Sequence, residues 1–224
     1  MLDRSVPAPL ESIRRSSGEH VAGYIRRLIF AGTLRPGDRV PQDEVAGILG
    51  VSRIPVREAL LQLAQEGWVT VELHRGAFVN AISAETIRDH YTLYGMICGF
   101  AARRALSRGS EDLPSRLRKI SEAVARTDDE AEISSLSVEY HRTVLDEARN
   151  PRIGLLVKSL SVMVPGEFFT EVPHAVSVQK RGLAAITRAM QRRDGESVAG
   201  EYLKVMQQVG ERVVELFEKR GLFG

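Results

Sequence analysis

The chain has 224 residues, and 43% of them are hydrophobic, which is enough for one large domain or two small ones with real cores. Its 31 basic and 29 acidic side chains leave a formal net charge of +2, so any affinity for nucleic acid has to come from the local placement of charge. The single cysteine, Cys98, excludes an intramolecular disulfide and a cysteine-based zinc finger. No long apolar run stands near the N-terminus, which predicts a cytoplasmic protein without a signal peptide or membrane span.

The first residues predict an arm followed by two helices. Residues 1–16 hold two prolines, several charges and no clear period, so we expect a flexible N-terminal arm. The pair Ser16-Ser17 offers a cap for a first helix that runs to about Gly32. A second helix is expected from about Gln42 to Leu49, and its inward-facing residues are Val45, Ile48 and Leu49.

A tight turn then leads into a third helix, which we expect to reach about Gly67. Gly50 can adopt the positive φ that a sharp turn needs. Ser52 is a natural N-cap residue, and Pro55 falls in the first turn, where its missing N–H costs little. Every third or fourth residue is apolar, which predicts a buried stripe made of Val56, Ala59, Leu60 and Leu63.

Arg53 and Arg57 lie four residues apart at the start of this third helix, on a face other than the apolar stripe. A short helix with a buried back and two arginines at its front suits insertion into a DNA major groove. Arginine also presents the fork of donors that matches guanine or phosphate. The alternative is a solvated charged face, which two arginines alone do not exclude.

A β-hairpin is predicted directly after the third helix. Residues 68–73 and 77–80 are rich in β-formers and read as two strands, joined by His74, Arg75 and Gly76. Helix, helix, turn, helix and hairpin is the order of a winged helix-turn-helix. The tip residues His74 and Arg75 either reach the adjacent minor groove or backbone, or form a solvated turn.

The rest of the chain predicts only helices, with short connections that favour a bundle of about six. Their approximate ranges are 84–108, 114–125, 129–148, 153–164, 175–193 and 196–219. The predicted fold class is therefore mainly α, with one small hairpin in the N-terminal part. The predicted domains are a DNA-binding domain over 17–80, a linker over 81–84 and an all-helical domain over 85–224.

Several motifs in the first 80 residues resemble the winged-helix domain of the GntR family. They are Leu34-x-Pro36-Gly37-x-x-Val40, Leu49-Gly50-Val51-Ser52-Arg53-x-Pro55-Val56-Arg57-Glu58-Ala59-Leu60-x-x-Leu63, Glu66-Gly67-Trp68-Val69 and Gly76-x-Phe78-Val79. The helical remainder is similar to the effector-binding domain of the FadR subfamily, often called the FCD domain. Its motifs are Tyr140-His141-Arg142, Ala148-Arg149-Asn150 and Ala189-Met190-x-x-Arg193-Asp194.

The resemblance implies a dimeric, ligand-responsive transcription regulator, most often a repressor, that binds a palindromic double-stranded DNA operator. The residues that match DNA-contacting positions of the family are Ser52, Arg53, Pro55, Arg57, His74, Arg75 and Gly76. Two positions depart from the family pattern. Ile54 replaces a common Thr, and Asp43 stands where some members carry a DNA-contacting Arg. We therefore expect an operator that differs in detail from TGGT-type half-sites.

Many helical domains of this subfamily hold a divalent metal between one Asp and three His. Mapping that pattern onto this chain gives Ser137, His141, Leu183 and Val205, so His141 alone is retained and no metal is expected. His174 or His90 could substitute only under a different alignment. The family's effector-facing Arg and Glu map to Tyr94 and Cys98. An apolar pocket formed by these six residues suits a lipophilic or acyl-type small-molecule effector; alternatively, the residues only fill the core.

Two other classes of function were weighed. An enzyme would need an acid–base or nucleophilic constellation, and the pair Cys98 and His141 is the only candidate. Because Cys98 lies mid-helix on an apolar stripe, a reactive thiolate is not expected there, and we predict no enzyme. An architectural or constitutive DNA-binding protein, whose helical domain only dimerises, remains the alternative.

Overall fold

The computed structural model describes residues 10–163, 172 and 174–223, with side chains from residue 17 onward. The chain divides into two compact units, one running to Ile82 and the other from Ser83 to Lys219. The end of the chain, from Arg220, belongs to the first unit. Among the described residues, no helix is long and apolar enough to cross a membrane.

The first unit has the predicted order of helices and hairpin. Its elements are α1 (Leu10–Phe30), α2 (Gln42–Leu49), α3 (Arg53–Gln65), β1 (Val69–Glu72) and β2 (Gly76–Val79). The strands pair antiparallel, in a register that runs from Val69 opposite Val79 to Glu72 opposite Gly76. An isolated bridge joins Arg39 to Phe78, so the chain before α2 runs along the outer side of the hairpin. The described fold class is the predicted one.

The core of this unit forms where α1 packs on α3. All four residues of the predicted stripe on α3 are buried. Trp68 is buried at the start of the hairpin, and its ring meets Phe30 of α1 edge to face at 5.2 Å. Arg26 and Glu66 form a largely buried ion pair at 3.1 Å between the ends of α1 and α3. These contacts hold the back of α3 and leave its front outward.

Two predictions for the first unit are wrong. The first helix begins at Leu10, so residues 10–16 of the predicted arm are helical, and residues 1–9 lie outside the described part. Ser16 and Ser17 therefore stand within the helix rather than at its cap. On α2, Ala46 is buried in place of Ile48, which is 58% exposed. The helix is only eight residues long, so its short apolar pattern does not determine which residues face inward.

The second unit is a helical bundle, and six of its helices are described. They are α4 (Ala84–Arg108), α5 (Leu113–Arg126), α6 (Glu130–Glu147), α7 (Pro151–Leu160), α8 (Ala175–Gln191) and α9 (Gly195–Arg220). Ser83, Asp129 and Asn150 are N-caps whose side chains accept from backbone N–H groups, which explains why these helices start where they do. The predicted end of the fourth helix at Val164 lies outside the described residues.

Small residues let α4 and α9 approach closely. A side chain on Gly95 would lie 2.9 Å from the Leu203 backbone, and one on Gly99 would lie 3.0 Å from that of Ala199. Since these Leu203 and Ala199 atoms belong to the backbone, the contact could not yield to a larger residue without moving a helix. This close contact fixes the wall of the bundle from which Tyr94 and Cys98 project.

The predicted boundary of the helical domain at residue 224 is also wrong. Leu222 is buried near Gly32, and Phe223 forms a parallel bridge with Ile82. The Arg220 guanidinium donates from Nη1 to the carbonyl oxygen of Phe30 at 2.6 Å. The last residues are therefore part of the N-terminal unit, although the helix that leads to them belongs to the bundle.

Candidate DNA interface and ligand pocket

The front of α3 presents the two predicted arginines to solvent. Arg53 is its first residue, Arg57 lies one turn later, and both are exposed. Ser52 has the extended backbone of an N-cap, but its side chain makes no capping hydrogen bond. Pro55 lies in the first turn, as predicted. Because Val56 and Leu60 anchor the opposite face, the arginines have a rigid support.

Asp43 of α2 forms an ion pair with Arg53, and the Nε–Oδ1 distance is 2.8 Å. Both side chains remain largely exposed, at 73% and 77%. They line an open cleft of about 570 Å³ on this face of the unit. The complete lining of the cleft is Arg39, Val40, Pro41, Gln42, Asp43, Glu44 and Arg53. The residue that the sequence marked as a departure from the family is therefore in direct contact with a candidate DNA-binding arginine.

The hairpin places the other predicted DNA contacts in one short turn. His74 is exposed at its tip with a left-handed φ of 61°. Arg75 is paired with Glu72, and its guanidinium carbon lies 5.6 Å from the centre of the Phe78 ring. Gly76 has a φ of 111°, and a side chain there would meet the Arg39 Nε at 2.8 Å. Glycine thus lets the Arg39 side chain lie against the turn end of the hairpin.

Most predicted pocket residues meet inside the helical unit. Cys98, Leu183 and Val205 belong to one buried cluster, and Tyr94 packs against it. Gly182 allows α8 to touch Val205, because a side chain on it would lie 2.6 Å from a Val205 methyl group. Tyr140 of α6 belongs to the same cluster, so four helices contribute to this part of the bundle: α4, α6, α8 and α9.

His141 lies between two tyrosine rings, each with its centre 5.8 Å away: Tyr140 and Tyr202. Its Nδ1 lies 3.3 Å from the Tyr202 hydroxyl. Burial lowers the pKa of His141 to about 4, so the imidazole is neutral near pH 7. The residue as a whole is of intermediate exposure.

Ser137, one turn before His141 on α6, is only 6% exposed. Its Oγ is buried and has no hydrogen-bond partner in the described part of the chain. A buried hydroxyl without a partner costs free energy, so such groups are uncommon and often serve a ligand or a water. The neighbouring Tyr140 hydroxyl, by contrast, is paired with Thr187 at 2.9 Å.

These residues do not fit a metal ion. The mapped positions offer one neutral imidazole, one hydroxyl and two aliphatic side chains, whereas zinc needs three or four nitrogen, sulfur or carboxylate ligands. Of the two substitutes considered, His90 contacts the Leu160 carbonyl oxygen at 2.7 Å and His174 is exposed. Within the described ranges, no group of three His, Cys, Asp or Glu could hold a metal.

Cys98 has the environment of a core residue rather than a nucleophile. Burial raises the pKa of its thiol to about 12, as its position on an apolar stripe predicted. A thiol with this pKa stays protonated near neutral pH and packs as part of the core.

Two residues of these sites escaped the sequence reasoning. Arg39 lines the cleft beside Arg53, and its place in the motif after Gly37 could have drawn attention to it. Tyr202 contacts His141, and burial raises its pKa, with Tyr140 and Cys98 among the neighbours that raise it further. Tyr202 could have been identified from its position on the apolar face of α9, three residues before Val205.

Relatives among known proteins share this architecture. A mycobacterial HTH-type transcriptional regulator from Mycobacterium tuberculosis is 34% identical over 67% of this chain and 62% of its own length. The Nta operon transcriptional regulator of Aminobacter aminovorans is 33% identical over 57% of this chain and 61% of its own. The chain thus matches less than two thirds of the length of these two relatives. The HTH-type transcriptional repressor RspR of Escherichia coli is 28% identical over 88% of this chain and 89% of its own length.

Solved structures show the same fold at low identity. McbR/YncC from E. coli superposes with a TM-score of 0.64 at 19% identity, covering 91% of this chain and 98% of its own. A GntR family member from Pseudomonas syringae has a TM-score of 0.55 at 22% identity, covering 96% and 98%. The family model of bacterial regulatory proteins, gntR family, matches residues 17–79, and the FCD domain model matches 70–206. The chain therefore belongs to the gntR family of bacterial regulatory proteins, with an FCD domain behind its winged helix.

Proposed function

We propose that this protein is a transcription regulator that binds double-stranded DNA through α3 and the hairpin. The observation that carries the proposal is the pair Arg53 and Arg57, exposed at the front of a helix whose back is buried. A helix supported in this way can enter a major groove and direct arginines at base edges. The hairpin tip, with His74 and Arg75, then contacts the minor groove or the phosphates.

The test is selection of bound duplexes from a random pool by the purified full chain. The expected result is enrichment of an inverted repeat, with a guanine-containing half-site that differs in detail from TGGT. If no sequence is enriched over the starting pool, sequence-specific regulation is ruled out. The family relative described as a repressor supports repression as the direction of regulation; transcription measured from the selected operator decides it.

The protein acts as a homodimer in this proposal, because two recognition helices on a palindrome bind far more tightly than one. A stripe on α4 supports a contact between copies: Leu93, Met96 and Phe100 are 55%, 57% and 48% exposed. They lie three and four residues apart, so they share one helix face. Sedimentation should give a dimer for the wild type and a monomer for Met96→Glu. If both proteins are dimers, the interface lies elsewhere.

A small molecule bound in the helical unit modulates DNA affinity in this proposal. The buried, unpaired hydroxyl of Ser137, one turn before the neutral imidazole of His141, supports a pocket there. Its walls are apolar and its one described imidazole is neutral, which suits a lipophilic or acyl-type ligand that carries a hydrogen-bonding group. The ligand shifts DNA affinity only as far as it favours the arrangement that does not bind DNA.

Isothermal titration tests this part of the proposal. Acyl-CoAs and free fatty acids should bind, and His141→Leu with Ser137→Ala should abolish the heat. Tight binding of a small dicarboxylate with stoichiometric zinc would contradict the apolar pocket. If none of these probes binds, or if binding leaves DNA affinity unchanged, the protein binds DNA constitutively and the bundle only joins the two subunits.

A further inference from the structure

Asp43 is an acidic residue on the face that carries the candidate DNA-binding arginines. A lone carboxylate there would repel the phosphates of DNA. Its Oδ1 instead lies 2.8 Å from the Nε of Arg53, on the neighbouring helix. The two side chains come from separate helices whose buried residues fix their spacing, namely Val45 on α2 and Val56 on α3. The ion pair is therefore positioned by the fold of the unit.

The pair contributes little to folding stability. Both side chains are about three quarters exposed, and exposed ion pairs are strongly screened by water and salt. Its main effect is then on the orientation of the arginine. A free Arg side chain samples many rotamers, and holding it in one of them before DNA arrives reduces the entropy that binding must remove.

The atoms involved favour one orientation. The carboxylate engages Nε, on the side of the guanidinium, and the two Nη atoms form the end of the group. Those two nitrogens make the fork that matches guanine O6 and N7 in the major groove. A carboxylate at Nε therefore restrains the guanidinium while it leaves the two Nη atoms available for a base.

We propose that Asp43 is a positioning residue that orients Arg53 to read one guanine in each half-site of the operator. This inference rests on the proposed function, since it needs a sequence-specific DNA complex. It assigns Asp43 to specificity: the carboxylate lowers affinity for DNA in general, through repulsion of phosphate, and raises the preference for guanine at one position.

The experiment compares base preferences of four full-length proteins by selection from a random duplex pool, followed by binding to single-base variants of the enriched operator. The proteins are the wild type, Asp43→Ala, Asp43→Asn and Glu44→Ala. Glu44 follows Asp43 and lines the same cleft, so its variant removes an equal charge as a matched control. Asparagine keeps the size of the side chain and removes its charge, so Asp43→Asn tests whether the ion pair itself carries the preference.

The wild type should prefer guanine at one position of each half-site by about 5- to 150-fold. Asp43→Ala and Asp43→Asn should each lose most of that preference, and Glu44→Ala should keep all of it. Equal tightening of all operators by Asp43→Ala and Glu44→Ala, with base preference unchanged, would overturn the inference and leave simple repulsion. A wild type that enriches no sequence overturns the proposed function itself, and the inference with it.

Discussion

The two candidate sites place their key side chains in opposite environments. Arg53 and Arg57 stand in solvent on a rigid helix, whereas His141 and Ser137 lie inside a bundle among tyrosines and aliphatic residues. The exposed site depends on charge and direction, which residue type and helical spacing largely determine. The buried site depends on which neighbours pack against each polar atom, so its chemistry emerges only when four helices are assembled.

Removing an arginine should have the largest effect, on the exposed side of this comparison. Arg57→Ala and Arg53→Ala each delete a contact worth about 1–3 kcal/mol in each subunit, so a dimer loses roughly 2–6 kcal/mol of operator binding. Fluorescence anisotropy should therefore show weakening by about 30-fold to 20,000-fold. Arg118→Ala, on the surface of α5, is the matched control and should bind normally. Unchanged affinity in both arginine variants would refute the docking of α3.

Shortening Leu222 tests whether the end of the chain belongs to the exposed site's unit. The side chain is buried beside Gly32, so Leu222→Ala should destabilise that unit by about 2–5 kcal/mol. Trp68 is the only tryptophan and lies in the same unit, so its fluorescence during urea unfolding reports the effect. Leu155→Ala, which truncates an exposed leucine, should leave the Trp68 transition in place. Equal shifts in the two variants would contradict this assignment.

Acidification should act on the buried site. The pKa of His141 is lowered by burial from 6.5 to about 4, so the unfolded chain takes up a proton at a higher pH than the folded one. The folded state therefore has its full stability above about pH 6.5, where His141 is neutral in both states. It loses up to about 3 kcal/mol as the pH falls towards 4. Denaturant titrations across this range should show a shallower pH dependence for His141→Gln than for the wild type. An identical slope in the wild type and His141→Gln would count against burial of the neutral ring.

Removing the Ser137 hydroxyl should have the smallest effect, a small gain in the stability of the ligand-free protein. The ligand-free Ser137→Ala protein should be more stable by about 1 kcal/mol, because an unpaired buried hydroxyl is lost. Ser135→Ala, at an exposed position on the same helix, corrects for the helix propensity of alanine. Thermal melting of the two variants measures the difference, and a net destabilisation by Ser137→Ala would show that the hydroxyl is satisfied.

The sequence predicted most of the elements because their ends carry local signals. The predicted range of α4, from Ala84 to Arg108, is the observed one, since Ser83 caps its start and Gly109 follows its end. The hairpin strands are each within two residues of their predicted limits, because β-forming residues and turn residues alternate clearly there. The buried stripe of α3 was confirmed for the same reason: a period of 3.6 residues is a local property.

Contacts between distant residues were beyond such reasoning. Nothing near Leu222 in the sequence indicates that it packs beside Gly32, and the Asp43–Arg53 ion pair depends on the angle between two helices. The pairing of Tyr202 with His141 joins residues 61 positions apart. The residues predicted for DNA and effector binding remain predictions. The structure shows that the arginines and His74 are exposed in one unit and that Cys98, Leu183 and Val205 belong to the core of the other.

Methylation interference on the selected operator tests the central claim, that α3 reads guanine in the major groove, most directly. Methylation of guanine N7 blocks the atom that a forked arginine contacts. The wild type should fail to bind duplexes methylated at symmetric guanines in the two half-sites. Arg53→Ala and Arg57→Ala should each lose sensitivity at their own guanine. Wild-type binding that tolerates methylation at every guanine would contradict the account, since the arginines would then contact only the backbone.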